Sequence, residues 1–180
     1  MKYNSIVLSG LPGAGKSILS KKLADYFKWK VRSIGAFWRE QWQTLYPNAE
    51  ISFEEYWRSI TDKENKEMDK RLKKIVEDGN VVVDCRYGFL CRRLHALLVY
   101  TFSSLDTRAN RALVVGKYPG KTLCEIKTKL IEREHDEVEY GKKVYGEDYR
   151  NILLYNLSLN TARFSIEQEA DIIITLTDRK

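Results

Sequence analysis

The stretch that most constrains this chain is Ser5–Ser17, SIVLSGLPGAGKS. Ile6, Val7 and Leu8 form the short apolar run that a central parallel strand needs, and three glycines and a proline follow. Beyond Ser17, the apolar set Ile18, Leu19, Leu23, Ala24 and Phe27 falls at helical spacing. Gly10, Gly15, Lys16 and Ser17 fit G-x-x-x-x-G-K-[ST], the phosphate-binding loop, in the strand–loop–helix context that motif requires. A triphosphate is densely negative, so a loop that wraps it must bring backbone N–H groups very close. Glycines allow that approach, and a helix starting near Gly15 points its positive end at the same phosphates. On this reading Gly10, Pro12, Gly13, Ala14, Gly15, Lys16, Ser17 and Ile18 form a cradle for ATP. Lys16 would add a point charge on the β- and γ-phosphates, and the Ser17 hydroxyl would bind Mg²⁺. A glycine-rich turn without a ligand is the alternative the pattern leaves open.

The 180 residues suit one α/β domain with a sizeable core. No window approaches the apolar run of a membrane span, and MKYNSIVLS reads as the approach to a strand, not a signal peptide. Cys85, Cys91 and Cys124 are odd in number and lack paired ligand spacing, so a reduced, cytoplasmic protein is expected. The net charge of +6 fits a ligand with several phosphates, or nucleic acid, or mere solubility. The glycine loop favours phosphates. Neither nucleic acid nor membrane is expected as a partner, and a monomer is the expected state.

Periodicity places further strands at Lys30–Ser33, Val81–Asp84, Leu97–Phe102 and Leu153–Leu159. Residues 36–46 and 53–60 read as helical pieces around a Pro47-Asn48 turn. Thr61–Glu77 reads as a long helix with Met68, Leu72, Ile75 and Val76 on its apolar stripe. Arg108–Val115 and Leu123–Val138 read as helices flanking the basic stretch GKYPGK. Ser165–Ile174 reads as a closing helix capped by Ser165, with strand as an alternative for its β-branched end. Alternating strands and helices imply a parallel sheet covered on both faces.

VVVDCR is the second informative segment. An apolar strand ending in Asp84 has the form of a Walker B segment, whose carboxylate holds Mg²⁺ directly or through water; Asp84 capping the next turn is the alternative. Arg86 falls at the carboxyl edge of the sheet, where open α/β folds bind ligands. Arg39, by pattern alone, reads as a surface arginine.

Several segments together carry a family resemblance: GLPGAGKS, SIGAFWRE, EISFEEYW, EMDKRL, DGNVVVDCR, IEREHDEVEYGKKVYGEDYR and LYNLSLNT. In this order, over nearly the whole chain, they resemble the small nucleoside monophosphate kinases, above all the compact cytidylate kinases of the archaeal type. The resemblance implies a P-loop three-layer α/β sandwich with a parallel sheet of about five strands. Its core would be 1–35, 79–112 and 150–180, with a nucleoside monophosphate-binding insert at about 36–78 and a lid at about 113–149. It implies transfer of the ATP γ-phosphate to CMP or dCMP with Mg²⁺. Ser33, Arg39 and Arg86 would hold the acceptor nucleotide, the arginines on its 5′-phosphate. Tyr56, Trp57 and Asp69 become candidates for the base pocket. Arg108 and Arg111 would lie near the donor nucleotide, Arg133 would head the distal lid segment, and Asn160-Thr161 would lie near the donor base. Lys16, Arg111 and Arg133 are the expected catalytic residues. Two family arginines are replaced, by Val115 and Tyr140, and Lys117, Lys121, Lys142 and Lys143 are the nearby cations available to compensate.

Overall fold

In the computed structural model, residues 2–178 are described. The elements in chain order are β1 (Ser5–Gly10), α1 (Lys16–Phe27), β2 (Lys30–Ser33), α2 (Ile34–Leu45), α3 (Phe53–Ser59), α4 (Asp62–Glu77) and β3 (Val81–Asp84). There follow β4 (Ala96–Phe102), α5 (Leu105–Val114), α6 (Leu123–Tyr145), β5 (Leu157–Asn160) and α7 (Ile166–Asp178). The five strands form one parallel sheet in the order β2-β3-β1-β4-β5.

Strand alternation sorts the core into two layers. Ile6, Leu8, Val82 and Val99 face α1 and α7, meeting Leu19, Leu23, Ala170 and Ile173. Val7, Val81, Val83 and Leu98 face the other way and meet Leu72 and Val76 of α4. An aromatic cluster of Tyr87, Phe89, Tyr100 and Tyr149 joins the sheet to Val138 on α6. The α2–α4 segment has its own small core around Trp38, Tyr56 and Met68.

Five boundaries differ from the sequence reading. Residues 152–154 form a 3₁₀ turn, and the last strand is only Leu157–Asn160, at the sheet edge. Asn151 caps that turn by accepting from the Leu153 N–H, a local bond the apolar run did not reveal. α6 continues past Val138 to Tyr145 and ends on Gly146 at φ 71°. α5 begins at Leu105, capped by the Ser104 hydroxyl, and α2 takes in Gly35 because Ser33 caps it. The closing helix is capped by Ser165, which accepts from the Gln168 N–H, and it stays helical through Asp178.

Candidate active site

The glycine loop leaves β1 at its carboxyl end. Gly10 adopts φ 130°, and a Cβ there would lie 1.9 Å from the Thr101 carbonyl oxygen, so no other residue fits. Gly15 caps α1 at φ 89° with no side-chain hydrogen bond. Among the described residues, the N–H groups of Gly13, Gly15, Lys16 and Ser17 have no backbone acceptor, which leaves them free for an anion. The Lys16 ammonium donates to the carbonyls of Gly10 (2.8 Å) and Leu11 (3.0 Å). Burial lowers its pKa, while Asp84 and Glu137 pull it back up. Ala14 is buried within the loop, and Ile18 stands exposed on the first turn of α1.

Asp84 ends β3 directly beside Leu8 of β1. The Ser17 hydroxyl donates to its Oδ2 at 2.7 Å, so a hydroxyl and a buried carboxylate share one point below the loop. Both are hard oxygen donors, the set that suits Mg²⁺.

Facing the loop is a second cationic group. Arg86 Nη2 lies 2.6 Å and Arg133 Nε 2.7 Å from the same oxygen, Oε1 of Glu137. The Tyr149 hydroxyl donates to Glu137 Oε2 at 3.0 Å, and the Tyr87 hydroxyl donates to the Glu137 carbonyl at 2.8 Å. Burial alone would push the Glu137 carboxyl up, but Arg86 and Arg133 outweigh it and hold it below the usual range. The Glu137 side chain is 1% exposed, whereas Arg86 and Arg133 remain 15% and 29% exposed. Arg86 also stacks 4.7 Å from the Trp57 ring centroid, and Arg39 lies 5.8 Å from that of Phe53. Burial and then the charge of Arg133 lower the Arg39 pKa, so Arg39 joins the same cationic field.

The other expected residues fall into different settings. Ser33 uses its hydroxyl to accept from the Ala36 N–H and cap α2. Asp69 accepts a 2.7 Å bond from the Tyr145 hydroxyl, and burial raises its pKa. Arg108 is buried behind the loop, donating to the Pro12 and Ser103 carbonyls and pairing with Glu134 at 3.0 Å. Arg111 donates to the Thr161 hydroxyl (2.8 Å) and carbonyl (2.6 Å), and its Nη1 lies 3.7 Å from where a Gly15 Cβ would be. Tyr140 packs against Tyr87 and Tyr145, and Val115 is exposed at the end of α5.

A family model described as "Chromatin associated protein KTI12" matches residues 5–143, most of the chain. The chain belongs to the KTI12 family. The likeness to archaeal cytidylate kinases also holds. The cytidylate kinase of Methanopyrus kandleri is 26% identical over 96% of this chain and 92% of its own length. That of Pyrococcus horikoshii is 28% identical over 90% and 82%. Among solved structures, an uncharacterized protein from Eubacterium ventriosum superposes with a TM-score of 0.73 at 15% identity, covering 99% of this chain and 100% of that one. A shikimate kinase from Acinetobacter baumannii gives 0.63 at 15% identity, covering 97% and 92%. Such distant likenesses establish the P-loop kinase fold.

In this KTI12-family chain the sequence reading missed Glu137 and Tyr149. Arg133 and Glu137 are spaced i,i+4 inside IEREHDEVEY, which reads as an ordinary surface pair on a charged helix. Only the packing of α6 against Tyr87 turns that face inward. The fold also sorts the four lysines, with Lys143 exposed in the last turn of α6. Lys121 pairs with Glu125 and Lys142 with Glu139. Lys117 instead joins the cleft: partial burial, then the charges of Arg133, Lys16 and Arg39, push its ammonium down to about 7. The residue as a whole is exposed, so water tempers that depression.

Proposed function

We propose that this chain is an ATP-dependent phosphotransferase of the P-loop kinase type that acts on a nucleoside monophosphate, with CMP or dCMP as the first acceptor to test. The observation that carries the reading is the pairing of two anion stations across one cleft. One is the glycine loop with Lys16; the other is the Arg86–Arg133 pair with Arg39 nearby. The names of the archaeal relatives support a nucleotide as acceptor.

In this mechanism the loop N–H groups and Lys16 hold the donor phosphates, and Arg86 and Arg39 hold the acceptor phosphate in line. Mg²⁺ bound with ATP would be held by Ser17 and Asp84 and would neutralise charge on the β- and γ-phosphates. The acceptor phosphate is already an oxyanion, so no general base is required. Catalysis is positioning and charge neutralisation, with Arg111 and Lys117 as the cations available to the transferring group and Arg133 shared between it and the acceptor phosphate. The α2–α4 segment serves as the acceptor insert and residues 113–149 as the lid. The exposed Arg58–Asp136 pair (3.0 Å) joins the two across a cavity lined by Phe53, Trp57, Arg86 and Arg133. A cytoplasmic setting fits three free cysteines, and no described helix is long and apolar enough to cross a membrane.

The replacement of two family arginines by Val115 and Tyr140 favours a second reading, a nucleotide-binding module with weak transfer. The test is ADP formation from ATP and Mg²⁺ with a panel of acceptors: CMP, dCMP, UMP, AMP, shikimate and gluconate. The first reading expects acceptor-dependent ADP, largest with a pyrimidine monophosphate. Tight ATP binding with no acceptor-dependent ADP would support the second.

A further inference from the structure

We propose that Glu137 is a positioning residue of the acceptor-phosphate site, fixing Arg86 and Arg133 at one spacing so that both guanidinium groups meet a single phosphate. The inference rests on the acceptor reading above.

Arg86 and Arg133 come from distant parts of the chain, the end of β3 and the middle of α6. Left to themselves, two guanidinium groups at one phosphate would repel and swing apart. One oxygen of Glu137 serves both: it accepts a hydrogen bond from Arg133 Nε at 2.7 Å and forms an ion pair with Arg86 Nη2 at 2.6 Å. That oxygen cannot move, because Tyr149, fully buried, donates to its twin at 3.0 Å and Tyr87 pins the Glu137 main chain. Tyr87 follows Arg86 directly in sequence, so the same bond ties the Arg86 segment to α6.

The donor count supports the role. A guanidinium has five N–H donors in a fixed fork. The carboxylate contacts are made through Nη2 of Arg86 and Nε of Arg133, which leaves each fork with N–H groups for a ligand. The carboxylate is sealed from water while both arginines stay partly open, as expected of a brace lying behind a binding surface. A buried ion pair kept only for stability gains little over apolar packing. A carboxylate that sets the geometry of two phosphate-binding arginines has a reason to be there.

The role makes a prediction opposite in sign to simple electrostatics. Removing a negative charge from behind a phosphate site should tighten phosphate binding if charge alone matters. If Glu137 positions the arginines, its removal should weaken binding despite the gain in positive charge. The experiment measures initial rates of ADP formation for wild type, Glu137→Gln, Arg86→Ala and the double variant, with ATP and CMP varied separately. Glu137→Gln should raise the CMP KM by about tenfold or more and lower kcat, while the ATP KM changes less than about twofold. In the Arg86→Ala background the same substitution should have a much smaller effect on the CMP KM, since the residue it positions is gone. A lower CMP KM in Glu137→Gln, or equal effects in both backgrounds, would overturn the proposal. Should Glu137→Gln fail to fold, Tyr149→Phe removes only one donor to the carboxylate and should raise the CMP KM about threefold with the ATP KM unchanged; no change overturns the proposal. Wild type that forms no CMP-dependent ADP overturns the acceptor reading itself, and that outcome is seen before any variant is made.

Discussion

The two halves of the cleft are built from different materials. The side proposed for the donor is made of backbone: the N–H groups of Gly13, Gly15, Lys16 and Ser17, a glycine that nothing can replace, and the start of α1. The side proposed for the acceptor is made of long side chains, Arg39, Arg86 and Arg133, held by a buried carboxylate and by aromatic rings. A site made of backbone depends on a few consecutive residues and tolerates little change. One made of side chains can be rebuilt by moving an arginine a turn along a helix, so acceptor choice can drift while the donor site stays fixed.

The sharpest way to break this contrast is at Lys16. Lys16→Ala should reduce transfer by about 10²–10³-fold, as expected for removal of one preorganised charge. Its ammonium bonds only loop carbonyls, so the thermal midpoint should stay nearly that of wild type. Steady-state rates and a melting curve check both; a variant with wild-type turnover would remove the donor site from the account.

Arg86→Ala comes next. Acceptor KM should rise about ten- to a hundredfold with ATP affinity unchanged, measured by titrating each nucleotide separately. A fall in ATP affinity of similar size would merge the two halves into one site.

The contrast also explains what the sequence revealed. Gly10 to Ser17 are contiguous, and both their chemistry and their strand–helix context lie within about twenty residues, so the donor half was readable directly. The continuous apolar runs Ile6 to Leu8 and Val81 to Val83 likewise pointed to buried strands of a parallel sheet. Asp84 and Arg86 were readable because a strand end fixes where they lie. Glu137 was not: it is 51 residues from Arg86, and only the docking of α6 on Tyr87 and Tyr149 brings them together. Arg108 shows what a motif position does not reveal. The resemblance implied a place near the donor nucleotide, and in the structure its guanidinium braces Pro12 and Glu134 from behind the loop. Tyr140 belongs to an aromatic cluster, so Tyr140→Arg would place a charge among rings, and a gain in kcat is not expected from it.

Lys117 gives a smaller effect and a pH signature. Lys117→Ala should lower kcat by about tenfold if its charge helps the transferring group. Burial and the neighbouring cations push its ammonium down towards about 7, less far where water reaches it, so the charged form is lost as pH rises above neutral. The rate should therefore fall as pH rises from about 7 in wild type, and Lys117→Arg, charged throughout, should flatten that fall. Identical pH–rate profiles for the two proteins would leave the lid without this cation.

Arg58→Ala should matter least. The pair with Asp136 is exposed, and such pairs contribute ~0.2–1 kcal/mol, so KM and kcat should change by less than about fivefold. A larger loss would mean that contact between the insert and α6 controls closure of the cleft.

The central claim is that the two stations face each other so that a phosphoryl group crosses between them. Incubation with γ-³²P-labelled ATP, Mg²⁺ and CMP, followed by separation of the products, tests it most directly. The account predicts label in the β-position of CDP, equimolar with ADP, and loss of that product in both Lys16→Ala and Arg86→Ala. Label released as inorganic phosphate at the same rate with and without CMP would contradict it.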